Sequence, residues 1–493
     1  MRCDYARLWL LSRLLDSLHA SQAVLWHSQR REKFRMRILT SFLFGVVVVA
    51  ARCPAVTLPQ EPQRPNIVVI LVDDLGFGDL GCYGATDLET PAIDQLVTRG
   101  MRFSSAYANC PVCSPTRAAL LSGCYPEIVG VPGVVRTHSP LDSWGYLAPS
   151  SRLLAAELKD AGYQTACIGK WHLGDQSECL PNTKGFDLFH GFLGDMMDDY
   201  FDHRRAGINY MRRNLREVDP KGHATDVFTD WAVDYIATNR GDASEPFFLY
   251  LAYNAPHTPI QPPKDWLAKV RKREPGMDPA RSRLVALIEH LDFGIGRVVD
   301  AIGAAGIADE TLILFSSDNG GQLGVGANNG SLRGGKQDMY EGGIRVPQAA
   351  VWPGYIAPGS TTDLVTLSMD LFATCCAVAG VTVGDEVDGV SILPTLLGAQ
   401  QDFDRDIFWT RKEGNQRYMG QSVWAIRSGA WKLLQNDPQR PFELYNVVAD
   451  PAESVDMRGQ HPKVYRELSK RLRKHMQRGG AVPWQAPARA MRK

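Results

Sequence analysis

Four apolar runs that end abruptly at polar side chains constrain the fold of this chain more than any other feature. The runs span residues 67–72, 164–168, 247–252 and 311–315. Apolar runs without alternating polar residues are typical of strands buried on both faces. Helical stretches, such as 153–161 and 282–301, lie between the runs. The pattern predicts an α/β fold with a large doubly wound, mixed but mostly parallel sheet flanked by helices.

The polar side chains that follow these strands are candidates for a functional site. In chain order they are Asp73 with Asp74, Lys170 with His172, His257, and Asp318 with Asn319. In doubly wound sheets, ligands bind beyond the carboxyl ends of the strands. We therefore expect these side chains to converge on one crevice, although they are far apart along the chain.

The acidic and amide residues of this set predict a metal site. Asp73, Asp74, Asp318 and Asn319 offer oxygen ligands, which suit Ca²⁺ or Mg²⁺, whereas zinc would favour histidine or cysteine. Either pair alone could instead cap a helix or build a turn. Two such pairs at the ends of two strands favour the metal.

The segment Cys110-Pro-Val-Cys113-Ser-Pro-Thr-Arg117 places Cys113 at or just before the start of a helix, a position that favours anions and activates nucleophiles. A Cys110–Cys113 redox pair is one interpretation, although thioredoxin-like proteins lack the flanking carboxylates and cations that this chain has. A cysteine phosphatase would need a histidine directly before the cysteine and an arginine six positions after it, whereas Arg117 follows Cys113 by four. A buried structural cysteine is a third interpretation.

The same segment resembles the Cys-x-Pro-x-Arg signature of type I sulfatases. Residues 162–172 are similar to the second signature of that family, and the blocks at 73–74, 317–320 and 335–347 follow in the family's order. The resemblance covers the chain from Pro65 to about Tyr445. One departure is Ser122-Gly123-Cys124-Tyr125, where the family pattern has Thr-Gly-Arg, so a contact near the helix is in doubt.

The resemblance implies that Cys113 is oxidised to formylglycine by a formylglycine-generating enzyme, and that the hydrated aldehyde attacks sulfur. It implies a Ca²⁺ ion, favoured over Mg²⁺, held by Asp73, Asp74, Asp318 and Asn319 and touching residue 113. Asp318 would also deprotonate the attacking hydroxyl.

The resemblance also assigns the cationic side chains, because expelling an alcohol from a sulfate ester requires fixed donors around the developing charge. Lys170 and Lys336 would bind the sulfate oxygens. His257, with Lys336, would protonate the leaving oxygen. His172 and Arg117 would orient the formylglycine.

The implied activity is hydrolysis of a sulfate monoester, on a sulfated carbohydrate or an aryl sulfate. The alternatives are a phosphonate or phosphate ester hydrolase on the same scaffold and a catalytically silent carbohydrate-binding relative. Segments 195–223 and 411–421 are aromatic and basic enough to face a sugar. The candidate contacts there are Tyr200, Arg204, Arg205 and Tyr210, although a solvated charged loop is an equal interpretation.

After about residue 394, short strand candidates separated by turn residues replace the long runs, and a basic helix at 461–477 follows. This change predicts a smaller C-terminal α+β domain with an antiparallel sheet. We expect a catalytic domain at 65–395 and a C-terminal domain at 404–480.

Residues 36–51 have a basic start, a short apolar run and a small-residue end, which is typical of a secretory signal. We expect residues 1–51 to comprise an upstream extension and this signal, with translation starting at Met36 and a secreted or periplasmic product. The run is short for a membrane span of about 20 residues, so we expect no stable span, with an uncleaved anchor as the alternative interpretation. The 54 basic and 54 acidic residues give a net charge of zero, which predicts no attraction to nucleic acid.

Overall fold

A computed structural model describes residues 64–139, 142–239, 245–414 and 419–479. The expectations for residues 1–51 lie outside the described residues. Among the residues that are described, no helix is both long and apolar enough to cross a membrane.

The large sheet has ten strands: β1 (Asn66–Val72), β2 (Met101–Phe103), β4 (Gln164–Lys170), β5 (Leu188–Phe192), β8 (Met211–Arg213), β9 (Arg216–Glu217), β10 (Phe247–Ala252), β11 (Thr311–Ser317), β12 (Gln348–Val351) and β13 (Ser360–Thr362). Their order in the sheet is β13-β2-β12-β11-β1-β10-β4-β5-β8-β9. The five central strands β11, β1, β10, β4 and β5 are parallel, and antiparallel strands extend both sides. This topology confirms the predicted mixed, mostly parallel sheet.

Every residue of β1, β10 and β11 is buried, as the apolar runs predicted. The helices that flank the sheet form two groups, each packed together. The first group is α1 (Pro91–Thr98), α4 (Ala224–Thr238), α5 (Lys264–Arg273) and α6 (Pro279–Ala304), and the second is α2 (Cys113–Ser122), α3 (Leu154–Asp160) and α8 (Asp370–Val378). Short elements complete the large part of the chain: α7 (Glu341–Ile344), α9 (Leu393–Leu396), β3 (Ala106–Tyr107), β6 (Arg204–Arg205), β7 (Ile208–Asn209) and β14 (Thr366–Leu367).

The register of the central strands brings their carboxyl ends level. Val72, the last residue of β1, pairs with Ser317, the last residue of β11. Gly169 near the end of β4 pairs with Ala252 at the end of β10. The polar residues that follow these strands therefore leave the sheet at the same edge.

A second sheet near the C-terminus is antiparallel, in the order β15 (Asp406–Lys412), β16 (Ser422–Ser428), β17 (Trp431–Leu434) and β18 (Glu443–Asn446). The helix α10 (Pro462–Gly479) packs on it through Leu468 and Leu472. This arrangement confirms the predicted smaller α+β part. Trp409 of this sheet packs against Tyr107 and donates a hydrogen bond from Nε1 to the carbonyl of Ala108 at 2.8 Å. The limits 65–395 and 404–480 for two domains remain a prediction.

Candidate active site

The loops after four central strands bring the predicted polar residues together. The amide of Asp318 donates to the carbonyl of Val72 at 3.0 Å, so the segments after β1 and β11 stay side by side. Asp74 and His172 have left-handed φ angles of 69° and 59°. Such angles are costly for residues other than glycine and occur often at functional sites.

The three carboxylates and the amide are buried and linked. The amide nitrogen of Asp74 lies 3.2 Å from Asp318 Oδ1, and Asn319 Nδ2 donates to Asp74 Oδ1 at 2.8 Å. Asp73 Oδ1 and Asn319 Oδ1 are buried, and neither has a hydrogen-bond partner among the described residues. Buried oxygens without a partner are costly, so their place beside the other carboxylates suits a bound cation.

A second feature also suits a cation. Asp73, Asp74, Cys113 and His257 each offer one ligand atom, and these atoms lie within 4.8 Å of one another. Carboxylate and amide oxygens are hard ligands, which favours Ca²⁺ or Mg²⁺. The structure therefore brings three of the five predicted ligands together at one possible metal site and adds His257 to it.

Cys113 is the first residue of α2 and is buried. Burial and the charge of Asp73 raise the pKa of its thiol well above the usual value, although Lys336 and Lys170 oppose this. The thiol therefore stays protonated at neutral pH, and a protonated thiol is a poor nucleophile. Cys110 Sγ instead donates to the carbonyl of Thr410 at 3.1 Å, so its polar contact is with the second sheet.

Three cationic side chains hold the carboxylates in place. Lys170 is fully buried and forms a short ion pair with Asp73, and Lys336 Nζ lies 2.6 Å from Asp74 Oδ2. Arg117 is also fully buried. Its Nε and Nη2 donate to Asp318 Oδ2 at 3.0 and 2.7 Å.

The pKa shifts of these groups follow from their neighbours. Burial lowers the pKa of Lys336, but the charges of Asp74 and Asp73 outweigh it and raise the pKa overall. Burial and the charge of Asp73 raise the pKa of Asp318 to about 7, against the opposing charge of Arg117. Burial would raise the pKa of Asp73 as well, but Lys170 and the other nearby cations hold it well below its usual value. Asp318 is therefore more easily protonated than Asp73, which lies in the same cluster.

The two histidines are held by backbone carbonyls. His172 Nε2 lies 3.0 Å from the carbonyl of Val135, and its Nδ1 has no partner among the described residues. His257 Nδ1 lies 2.7 Å from the carbonyl of Thr258, and its Nε2 lies 3.7 Å from Asp74 Oδ2. Burial lowers both pKa values, helped by Lys170 at His172 and by Lys336 at His257. Both rings are therefore neutral at pH 7.

A cavity of about 310 Å³ opens onto this cluster. Cys113, His172, His257 and Lys336 line it. The other predicted site residues lie in the same cluster, within hydrogen-bonding or ion-pair networks: Asp73, Asp74, Arg117, Lys170, Asp318 and Asn319.

The four residues that the sequence suggested as sugar contacts do not all lie in the cavity wall. Arg205 lines the cavity, whereas Arg204 pairs with Asp202 and Asp219 and is not among the lining residues. Tyr200 and Tyr210 are buried, so neither offers an exposed stacking face. Arg136 and His138 also line the cavity, and sequence reasoning missed both. They belong to a segment without helix or strand, where no periodic pattern marks them.

The sequence matches the sulfatase family model over residues 65–381, and a model described as N-sulphoglucosamine sulphohydrolase, C-terminal, over residues 335–479. N-acetylgalactosamine-6-sulfatase of Mus musculus is 34% identical over 392 residues, which cover 75% of this chain and 72% of that protein. Arylsulfatase A of Homo sapiens is 34% identical over 447 residues, 80% of this chain and 84% of that protein. The crystal structure of Ps i-CgsB in complex with k-i-k-neocarrahexaose is 32% identical, with a TM-score of 0.78 over 86% of this chain and 96% of that one.

Proposed function

The chain belongs to the sulfatase family and is a sulfatase, and on this basis we propose that it hydrolyses a sulfate monoester of a carbohydrate with a nucleophile derived from Cys113. The observation that carries the proposal is one cavity where Cys113, His257 and Lys336 meet above buried carboxylates. The named relatives support a carbohydrate sulfate, because one acts on an N-acetylgalactosamine sulfate and another was crystallised with a neocarrahexaose.

The ligands proposed for Ca²⁺, favoured over Mg²⁺, are Asp73, Asp74, Asp318, Asn319 and the side chain at position 113. The unpartnered oxygens of Asp73 and Asn319 support this set. When bound, such an ion would polarise a sulfate oxygen and orient the ester. Arg117, Lys170 and Lys336 would keep the carboxylates in position for it through the ion pairs described above.

Cys113 is proposed to be oxidised to formylglycine during maturation by a formylglycine-generating enzyme. The hydrated aldehyde would supply one hydroxyl to attack sulfur and a second through which sulfate is later expelled. The raised pKa of the unmodified thiol supports this proposal, because the thiol itself would be a weak nucleophile at neutral pH.

Asp318 would accept the proton of the attacking hydroxyl. Burial and the charge of Asp73 raise its pKa, which makes it a stronger base than Asp73 in the same cluster. Arg117 donates two hydrogen bonds to its Oδ2 and so orients it, while His172 lines the same cavity as Cys113.

Lys170 and Lys336 would bind the sulfate oxygens, and His257 would protonate the ester oxygen as the bond from sulfur to that oxygen breaks. His257 is neutral in the free site because burial and Lys336 lower its pKa. A bound sulfate brings negative charge beside the ring, which offsets the effect of Lys336 and favours the protonated form. The leaving alcohol would then take that proton.

The experiment compares turnover of 4-nitrophenyl sulfate, 4-nitrophenyl phosphate and phenylphosphonate by protein produced with a formylglycine-generating enzyme. We expect the sulfate ester to be preferred, activity to fall on chelation and return with Ca²⁺, and peptide mass spectrometry to find Cys113 converted. Cys113→Ser should lose turnover by about 10³-fold or more, as removal of a catalytic nucleophile does.

Cys110→Ser is the matched control, because this neighbouring buried thiol donates to the carbonyl of Thr410. It should keep most of the activity. A preference for phosphorus esters by orders of magnitude would replace the proposal with the phosphonate or phosphate hydrolase. A folded protein with converted Cys113 that cleaves none of the three esters or any sulfated sugar would favour the catalytically silent relative.

A further inference from the structure

The exposed side of the C-terminal helix carries a concentration of positive charge that the proposed reaction does not use. The helix α10 (Pro462–Gly479) contains seven lysines or arginines and one glutamate, whereas the whole chain has equal numbers of basic and acidic residues. Five of the seven are exposed and form no ion pair with another described residue: Lys463, Arg466, Lys470, Arg473 and Lys474. We call these five side chains the cationic row.

The other two basic residues of the helix are matched by carboxylates. Arg471 pairs with Asp406 at 3.1 Å and with Glu467 at 3.0 Å, and Arg478 pairs with Asp388 at 2.5 Å. Their charges are balanced within the protein. The charge of the cationic row is left to the solvent or to a partner.

The five cations lie along one side of the helix. They stand at positions 463, 466, 470, 473 and 474, and residues three or four positions apart share a helix face. At a rise of about 1.5 Å per residue, the row is about 16 Å long. The opposite side of α10 packs on the second sheet through Leu468 and Leu472. The cationic row therefore faces solvent along its whole length.

The cationic row weakens the helix that carries it. Arg466, Lys470 and Lys474 follow one another at intervals of four, and like charges at this spacing destabilise a helix. Lys463 lies in the first turn, where the helix dipole disfavours a cation, and no acidic residue of that turn offsets it. Helix stability thus does not explain the row, whereas a bound polyanion would relieve the repulsion between its members.

The surroundings of the row favour one class of polyanion. A basic amphipathic helix binds an anionic membrane by inserting its apolar face, and the second sheet covers that face of α10. A DNA duplex is wider than one row of side chains, so it would also approach Glu467 and Asp406, which border the row at Arg471. A narrow linear chain with sulfate groups can follow the row without approaching these carboxylates.

We propose that the cationic row binds a linear sulfated polysaccharide and so holds the protein on the polymer that carries its substrate. The choice of a sulfated polymer rests on the proposed function. Ion pairs between the row and the sulfate groups would release the counterions of the polymer, so binding should weaken as salt is added. None of the five side chains lines the cavity, which makes polymer binding separable from turnover of a small ester.

The first experiment measures binding to carrageenan, a sulfated galactan, on the full chain with Cys113→Ser. The row variant combines Arg466→Gln, Lys470→Gln and Lys474→Gln. We expect its affinity at about 0.1 M salt to be about 10- to 100-fold lower, with the slope of log affinity against log salt reduced by about 2 to 3. Its melting temperature should not fall, because the substitutions remove repulsion from exposed positions.

The matched control variant removes three exposed cations from three separate parts of the chain: Arg99→Gln, Arg216→Gln and Arg283→Gln. It loses the same net charge but keeps the cationic row, so its affinity for carrageenan should stay within about twofold of the unsubstituted value. Equal losses of affinity in the two variants would show an effect of net charge alone and would overturn the row.

Three further ligands test the class of partner. Agarose, an uncharged galactan, should not bind. Double-stranded DNA and vesicles that contain phosphatidylserine should bind more weakly than carrageenan at the same salt concentration. Binding of agarose as tight as that of carrageenan, tighter binding of DNA or of the vesicles through the row, or no binding of carrageenan would each contradict the proposal.

The second experiment separates this inference from the proposed function. In the protein that retains Cys113, the row variant should keep its turnover of 4-nitrophenyl sulfate while it loses affinity for carrageenan. Unchanged affinity contradicts the row and leaves the sulfatase activity intact. Equal losses of turnover and affinity would show that the row acts on the cavity and would overturn its separate role. Absence of turnover in the unsubstituted protein, with carrageenan binding that depends on the row, contradicts the catalytic proposal and supports the row.

Discussion

At the scale of single residues, the candidate site is a set of buried opposite charges. Lys170, Lys336 and Arg117 each pair with a carboxylate that water does not reach. Burying such charges costs more than their attraction returns unless the geometry is good, so these pairs are weak evidence for stability. Their arrangement is better explained by the ligand they would receive, since buried cations and carboxylates held in fixed positions stabilise a transferring sulfuryl group more than water does.

Tyr200 shows how a residue outside the cavity can act on the site. Its hydroxyl lies 2.8 Å from the carbonyls of both Asn254 and His257 and so fixes the segment that carries the proposed proton donor. We expect Tyr200→Phe to lower kcat about 10-fold with a smaller change in KM, because His257 loses its position. Stability should fall by about 1–3 kcal/mol, since buried carbonyls lose their donor.

Steady-state kinetics with 4-nitrophenyl sulfate and thermal denaturation measure the two effects of Tyr200→Phe. Tyr163→Phe is the control, because Tyr163 is also buried and its hydroxyl has no partner among the described residues. A loss of stability without a loss of kcat at Tyr200 would show that the hydroxyl only supports the fold.

At the scale of elements, close strand packing sets where the catalytic side chains lie. Gly169 precedes Lys170 at the end of β4, has a φ of 102°, and a Cβ there would lie 1.9 Å from the carbonyl oxygen of Ala252 in β10. Only glycine allows these two strands to approach this closely at this point. The position of Lys170 therefore depends on the absence of a side chain one residue earlier.

We expect Gly169→Ala to destabilise the protein by about 2–4 kcal/mol, from backbone strain and the forced separation of β4 and β10. Activity should fall as well, because the shift displaces Lys170. Denaturant unfolding monitored by fluorescence and turnover of 4-nitrophenyl sulfate are the measurements.

Gly303→Ala is the matched control for the strand substitution. Gly303 lies in α6, and a Cβ there would meet open space. Alanine in a helix is favoured over glycine, so stability should rise by up to about 1 kcal/mol. A Gly169→Ala protein with unchanged stability and activity would show that the close approach of β4 and β10 does not require glycine at this position.

At the scale of the whole molecule, a buried pair joins the C-terminal helix to the large part of the chain. His475 Nε2 of α10 lies 2.6 Å from Glu127 Oε1, and the His475 ring stacks on Phe408 at a centroid distance of 3.9 Å. Burial would raise the pKa of Glu127, but the hydrogen bond and charge of His475 lower it below the usual value of 4.5. The contact joins segments that are 348 positions apart in the sequence.

This pair predicts a pH dependence of stability. A carboxyl group whose pKa is lower in the folded state stabilises that state above pH 4.5, and the contribution is lost as the pH falls through the folded-state value. We expect Glu127→Gln to cost about 1–3 kcal/mol at pH 7 and the difference from the unsubstituted protein to shrink below pH 4.5. Melting temperatures from pH 7 to pH 3.5 measure this.

Glu467→Gln serves as the control for that series, because Glu467 pairs with Arg471 on the exposed side of α10 at 3.0 Å. Exposed ion pairs contribute little to stability, so Glu467→Gln should change the free energy of unfolding by no more than about 0.5 kcal/mol at every pH. If the difference in stability between Glu127→Gln and the unsubstituted protein stayed constant down to pH 3.5, the pair of Glu127 and His475 would not be the source of the pH dependence of stability.

The sequence alone predicted the fold class and several site positions, because the burial of a strand is visible in its own residues. A strand buried on both faces must be apolar throughout, so the runs that became β1 and β11 could be recognised without knowing their neighbours. The rule that parallel strands end at a common edge then placed Asp73 and Asp318 together. The spacing of Cys113 and Arg117 is also local, since both lie on one helix.

Only the tertiary structure decided which charged side chains pair with one another and which side chains line the cavity. Nothing in the sequence shows that Arg205 lines the cavity and Arg204 does not, or that His138 lines it. Tyr200 was predicted as a candidate contact for a sugar, but it is buried. These outcomes depend on how irregular loops from distant segments fold over the strand ends. Periodicity reports whether a residue is buried, whereas the identity of its partner depends on contacts that no local pattern encodes.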